Sequence, residues 1–160
     1  MPPADPDTRR WHPKVRGLFE YWRSIHPDSG ALPGRAAFDP LAVPSLLPHL
    51  ILIDVVGRPP RFRYRLIGTR MVDALQGDHT GRWLDEAHDR PGTGVPVFPS
   101  YEQVVREARP DWRRGAPHFA GYVDRCTELE RIFLPLAADG RHVDMILAIY
   151  AFYDAGGAEL

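Results

Sequence analysis

The sequence predicts an α+β domain built on a five-stranded antiparallel sheet, with helices on one face and an amphipathic helix ahead of it. Three observations carry this. Two strand-like runs flank a turn over residues 49–67, three more close the chain, and helical spacing of apolar residues marks two segments outside them. At 160 residues the chain is the length of one domain. Its 44% hydrophobic and 26% charged residues, with formal net charge -1, exclude a disordered tail and a basic nucleic-acid arm as carriers of function.

The elements follow in order. Val15, Leu18, Phe19, Trp22 and Ile25 recur at helical spacing behind Pro13, and Pro27-Asp28-Ser29-Gly30 stops the run, which predicts a helix over 13–26. Residues 31–48 hold four prolines and read as an ordered connector, in which Asp39 caps a short helix carrying Leu41, Leu46 and Leu47. His49 to Val56 and Arg61 to Ile67 form a hairpin across Gly57-Arg58-Pro59-Pro60. With a four-residue loop, Val56 faces Arg61, Val55 faces Phe62, Asp54 faces Arg63 and Ile53 faces Tyr64, so opposite charges meet and apolar groups meet. Ile51, Ile53, Val55, Phe62, Tyr64 and Leu66 then share one face, with the parity of His49. Leu50, Leu52, Asp54, Arg61, Arg63 and Arg65 share the other.

Thr69 is placed to cap a short helix with Met71, Val72 and Leu75, stopped by Gly77, and Thr80 to Leu84 starts another turn. Ser100 to Gln103 fits a capping box, after which Tyr101, Val104, Val105 and Ala108 share a helix face until Pro110. Strand-like runs at 117–124, 128–138 and 141–153 finish the chain, the last two joined by Asp139-Gly140, the strongest hairpin signal present. The first and last strands are apolar on both faces and should be central.

Several motifs lie along this frame: Pro33-Gly34-Arg35, Phe38-Asp39-Pro40, Leu46-Leu47-Pro48-His49-Leu50, Phe62-Arg63-Tyr64-Arg65-Leu66-Ile67-Gly68-Thr69 and Gly77-Asp78-His79-Thr80-Gly81-Arg82. Together with the element order they resemble a family of short, stand-alone bacterial PAS proteins over about residues 15–150. The stretch 89–99, rich in Pro and Gly, departs from the helix that many PAS domains carry there. The resemblance implies a sensory or interaction module with a ligand cleft between sheet and helices, and no defined catalytic activity. Inward parity and the middle helices make His49, Tyr64, Met71, Trp83, Tyr101 and Val105 the candidate cleft residues.

Other chemistries are poorly supplied. The interleaved arginines and aromatics of 61–65 point to opposite faces, which argues against a nucleic-acid stacking platform. The single cysteine, Cys126, excludes an intrachain disulfide and lies in a turn between late strands, where an inert thiol is expected. The helix after Ser100 lacks the histidine that haem-binding PAS proteins place there, so neither haem nor a covalent chromophore is expected. His88, among Asp85, Glu86 and Asp89, matches no metal-ligand spacing and reads as a solvated loop. GxSxG, HExxH and P-loop signatures are absent, so no enzymatic activity is expected.

The expected organisation is a flexible N-terminus (1–12), an N-terminal helix unit (13–30), the PAS-like domain (31–153) and a C-terminal tail (154–160). Without an apolar leader or a long apolar run, a cytoplasmic protein is expected, with no membrane or nucleic-acid partner. The expected function is a regulatory module that binds an unidentified small ligand and signals through noncovalent contacts with a protein partner. The competing expectation is a ligand-free interaction or dimerisation module. The helix over 13–26 is expected to cover the outer sheet face and to contribute to a homodimer.

Overall fold

Charge and apolar alternation set the first hairpin as expected. In the computed structural model, which describes residues 6–88, 98–117 and 125–160, β1 (Leu50–Val56) and β2 (Arg61–Ile67) pair with Val56 opposite Arg61, Asp54 opposite Arg63 and Ile53 opposite Tyr64. Beyond that point a bulge skips Arg65, so that Leu66 faces Leu52 and Ile67 faces Ile51. This corrects the expected facing of Leu66: it turns away from the inner face and is 44% exposed, while Ile67 packs against the inner core.

Arg63 donates to Asp54 at 3.1 Å, and the pair has side-chain exposures of 39% and 13%. Such a pair contributes about 0.2–1 kcal/mol. In a double-mutant cycle, Asp54→Arg combined with Arg63→Asp should recover a coupling of that size by urea unfolding; strict additivity of the two single variants would refute the pairing. Recovery should be incomplete, because the Arg63 guanidinium also lies 5.2 Å from the Trp83 ring centroid.

β3 (Asp111–Gly115), β4 (Glu128–Leu136) and β5 (Met145–Tyr153) complete an antiparallel sheet of order β2-β1-β5-β4-β3. β1 and β5 are interior strands, as their two-sided apolarity requires. All of the expected run at 117–124 except Pro117 lies outside the described residues, and β3 is a strand that the sequence pattern does not mark. It is the five-residue Asp-Trp-Arg-Arg-Gly, an edge strand with little apolar signal of its own. β4 and β5 meet around Asp139-Gly140, where Gly140 has φ +79° and its carbonyl accepts from Leu32 N–H at 2.9 Å.

Each sheet face has its own core. On one side α2 (Thr69–Ala74), α3 (Leu84–Ala87) and α4 (Phe98–Glu107) bring Met71, Leu84, Tyr101 and Val104 onto Ile51, Ile53, Phe62, Phe133 and Tyr150. On the other, α1 (Pro13–Ser24) lays Val15, Leu18, Phe19 and Trp22 onto Leu50, Leu52, Ile132, Leu134, Leu147 and Ile149. The first helix therefore covers the outer face of its own sheet, as expected, and the Trp22 indole donates to the Pro135 carbonyl at 2.9 Å.

Local capping differs from expectation in two places. Gly68, not Thr69, is the N-cap of α2: its N–H donates to Leu50 C=O at 2.7 Å, and a Cβ there would collide with the backbone of Leu47 and Pro48. α4 begins at Phe98, so Ser100 lies inside the helix and its hydroxyl accepts from Arg131 at 3.1 Å instead of closing a capping box. Asp39 does cap its turn, accepting from Leu41 N–H at 2.9 Å, but Leu41 is 84% exposed and carries no packing. Of the stretch expected to be flexible, Thr8–Arg10 forms a 3-10 turn and Trp11 is buried.

Adjacent charges in β4 point to opposite faces. Glu130, fully buried on the α1 side, accepts from His12 N–H at 2.9 Å, from the Trp112 indole at 3.1 Å and from the Tyr153 hydroxyl at 3.4 Å. Arg131, on the α4 side, donates to Asp111 at 2.7 Å and to Ser100, with its guanidinium 3.9 Å from the Phe133 ring centroid.

Candidate functional site

Four of the six candidate cleft residues come together. Tyr64, Met71 and Tyr101 are buried in the inner core and Val105 packs against it; Tyr101 stacks on Phe133 at 4.5 Å and its hydroxyl lies 3.4 Å from that of Tyr150. These contacts join α4 directly to β4 and β5.

Trp83 lies elsewhere, at the free edge of β2. The Gly77-to-Arg82 motif folds back there: Tyr64 N–H donates to Arg82 C=O at 3.0 Å and Gly81 N–H to Tyr64 C=O at 2.8 Å, and Trp83 bridges to Arg63. Arg61 covers the Trp83 ring at 4.2 Å while donating to Asp85 at 2.8 Å and to Glu86 at 2.8 Å. These carboxylates are thus ion-paired, and among the described residues no three His, Cys, Asp or Glu side chains are grouped to hold a metal.

His88, expected in a solvated loop, instead sits against Tyr64, with Nε2 2.6 Å from the phenol oxygen and its ring 5.7 Å from that of His79. Burial, and then the neighbouring Tyr150, raise the Tyr64 pKa, so the phenol stays protonated at neutral pH.

His49 also falls outside the core. The three-residue turn Leu47–His49 carries it to the rim of the sheet, where it lines a cavity of about 830 Å³ with His12, Lys14, Arg70, Asp73, Gln76, Arg125, Phe152 and Glu159. Lys14, the one lysine in the chain, donates to His49 Nδ1 at 3.4 Å and to a Glu159 carboxylate oxygen. The other Glu159 oxygen accepts from His12 Nε2 at 2.9 Å; His12 Nδ1 accepts from Lys14 N–H at 3.0 Å, which leaves the ring proton on Nε2.

Burial first, and then the Lys14 charge, hold the His49 pKa below the usual histidine value, so it is neutral at pH 7. Burial pushes the Glu159 carboxyl up, but the bonds from Lys14 and His12 and their charges outweigh it and hold it below its ordinary value. The Glu159 contact is therefore present above the ordinary carboxylate range and is lost as pH falls through the lowered value. In the sequence only the solitary lysine marks this site, because its residues come from five distant segments.

A second concavity, about 590 Å³ and largely aromatic, lies between α1 and β3 and is lined by Trp11, Phe19, Trp22, Arg23, Arg109 and Trp112 among others. Trp112 stacks on Trp11 with centroids 5.2 Å apart and planes 4° off parallel, and remains 38% exposed. Cys126 is half-buried, its thiol donating to Glu128 C=O at 3.3 Å.

Among the described residues no helix is long and apolar enough to cross a membrane. Comparison with curated proteins finds no match. A family model for the PAS domain matches residues 10–90, which takes in α1, the connector, the first hairpin, α2 and α3. That match spans just over half of the chain, and the sheet order with helices packed on its inner face agrees with it, so the chain belongs to the PAS domain family.

Proposed function

We propose that the protein is a noncatalytic sensory or regulatory module that binds a small ligand in the cavity beside α2 and signals through noncovalent contacts. The observation that carries this is the cavity of about 830 Å³ lined by polar side chains from five segments, a size within the usual ~300–1,000 Å³ of small-molecule sites. The start of α1 supports an output. His12 and Lys14 line the cavity, while Trp11 next to them lines the aromatic groove and the His12 N–H is held by Glu130. Occupancy that moves this turn would be felt at the groove.

Asp73 lies on α2 at the cavity rim and is exposed, so Asp73→Trp blocks the space without opening the core. Compounds that raise the melting temperature of the wild type in a small-molecule screen are expected to lose that effect in Asp73→Trp. If every stabilising compound acts equally on both proteins, the cavity is not the ligand site.

The second reading, self-association, is favoured by one observation: Trp112 is exposed on the edge strand β3 beside an aromatic groove, an arrangement suited to a second copy. Light scattering at micromolar concentration should then give twice the mass of the chain. A single-chain mass would exclude this reading.

A further inference from the structure

The 830 Å³ cavity holds an acidic side chain from its own chain, and the way that side chain is held points to what else the cavity takes. After β5 the chain turns back on itself. Asp154 accepts from Gly156 N–H at 2.9 Å and from Ala158 N–H at 3.0 Å, Gly157 adopts φ +81°, and Leu160 N–H donates to Phe152 C=O at 2.9 Å. This turn lays Glu159 beside Tyr153 and places its carboxylate between Lys14 and His12. The surplus of charge around it is positive: Lys14, Arg70 and Arg125 line the same cavity against Asp73 and Glu159. Neither Arg70 nor Arg125 is ion-paired among the described residues.

We infer that Glu159 is an internal stand-in for a small carboxylate ligand, which binds at Lys14 and His12, draws a second anionic group toward Arg70 and Arg125, and enters by displacing the 154–160 segment. The inference rests on the cavity being the ligand site and adds the ligand's chemical class. A compact ammonium and an imidazole N–H already hold one carboxylate in this geometry, so a free carboxylate needs no rearrangement of either donor. The two arginines suit a dicarboxylate, since a planar guanidinium binds carboxylate through two parallel N–H groups. The tethered Glu159 acts at a high effective concentration, which weakens the apparent affinity of any free competitor.

Succinate is the probe, followed by calorimetry and by hydrogen exchange. Glu159→Gln keeps the shape of the side chain but removes its charge, and should bind succinate at least about fivefold tighter than the wild type. Lys14→Gln placed in the Glu159→Gln background should abolish that binding. In the wild type, succinate should accelerate amide exchange over residues 154–160, whereas a ligand binding elsewhere would leave those amides unchanged or slow them. Equal succinate affinity in wild type and Glu159→Gln, or binding that survives Lys14→Gln, overturns the inference. If succinate binds none of these proteins while other compounds remain sensitive to Asp73→Trp, the carboxylate class fails and the cavity stands. If Asp73→Trp affects no compound either, the reading of the cavity falls with it.

Discussion

Trp22→Asp should leave the chain unfolded or close to it at room temperature. The indole is 5% exposed, lies between α1 and the outer face of the sheet, and donates to the Pro135 carbonyl at 2.9 Å. Truncating a buried Trp costs about 3–5 kcal/mol. The aspartate adds the penalty of a carboxylate facing Leu134, Leu147 and Ile149, against a total stability of about 5–15 kcal/mol for an ordinary domain. Loss of near-ultraviolet circular dichroism and of a cooperative thermal transition is the expected result. Trp22→Phe, which removes the hydrogen bond but keeps most of the ring, should cost far less and stay folded. A folded Trp22→Asp protein with a melting temperature near that of the wild type would mean that α1 does not lie on this sheet. Because the side chain is spent inside the molecule, this variant reports on folding and cannot serve to test association.

Glu130→Leu should be the next most damaging change, at about 2–4 kcal/mol by urea unfolding, because each buried donor left without an acceptor costs about 1–3 kcal/mol. The leucine would strand the buried Tyr153 hydroxyl and take the acceptor from the half-buried His12 N–H and Trp112 indole, which water reaches in part. The damage should also have a location. Amide exchange at the first turn of α1 should rise more than exchange in β1 or β5, since the carboxylate ties that turn to β4. A uniform rise across the sheet, or a loss below about 0.5 kcal/mol, which is the range of ordinary surface changes, would show that the carboxylate is not the tie.

The sequence showed those features that depend on neighbours along the chain. The register of the first hairpin was readable because Asp54 and Arg63 could meet only if Ile53 met Tyr64, and two-sided apolarity placed β1 and β5 in the interior. The bulge that turns Leu66 outward has no local signal, since Arg65-Leu66-Ile67 alternates equally well in either phase. β3 was missed because an edge strand of Asp-Trp-Arg-Arg-Gly draws its pairing from β4, not from its own pattern. The candidate site divided in the same way. Tyr64, Met71 and Tyr101 share a core that parity and helical spacing predict. His49 and Trp83 left it because a short turn and a folded-back motif carry them to the rim, and the His88 contact with Tyr64 joins elements 24 residues apart. Glu159 with Lys14 spans 145 residues, a separation at which only the folded chain makes the pairing visible.

The opposed charges of β4 also decide which alignment of the last hairpin is native. Over most of their length β4 and β5 are apolar on both faces, so sliding one strand past the other by a residue would still bury a greasy surface, and hydrophobicity alone would scarcely object. Glu130 and Arg131 do object. A slip of one would aim the carboxylate at the aromatic inner core and the guanidinium at the packed side of α1, each away from its donors or acceptors. Stranding buried charges costs several kcal/mol apiece, which opens an energy gap between the correct pairing and its nearest impostor. Two adjacent residues thus index a pair of strands that would otherwise fit together in more than one way.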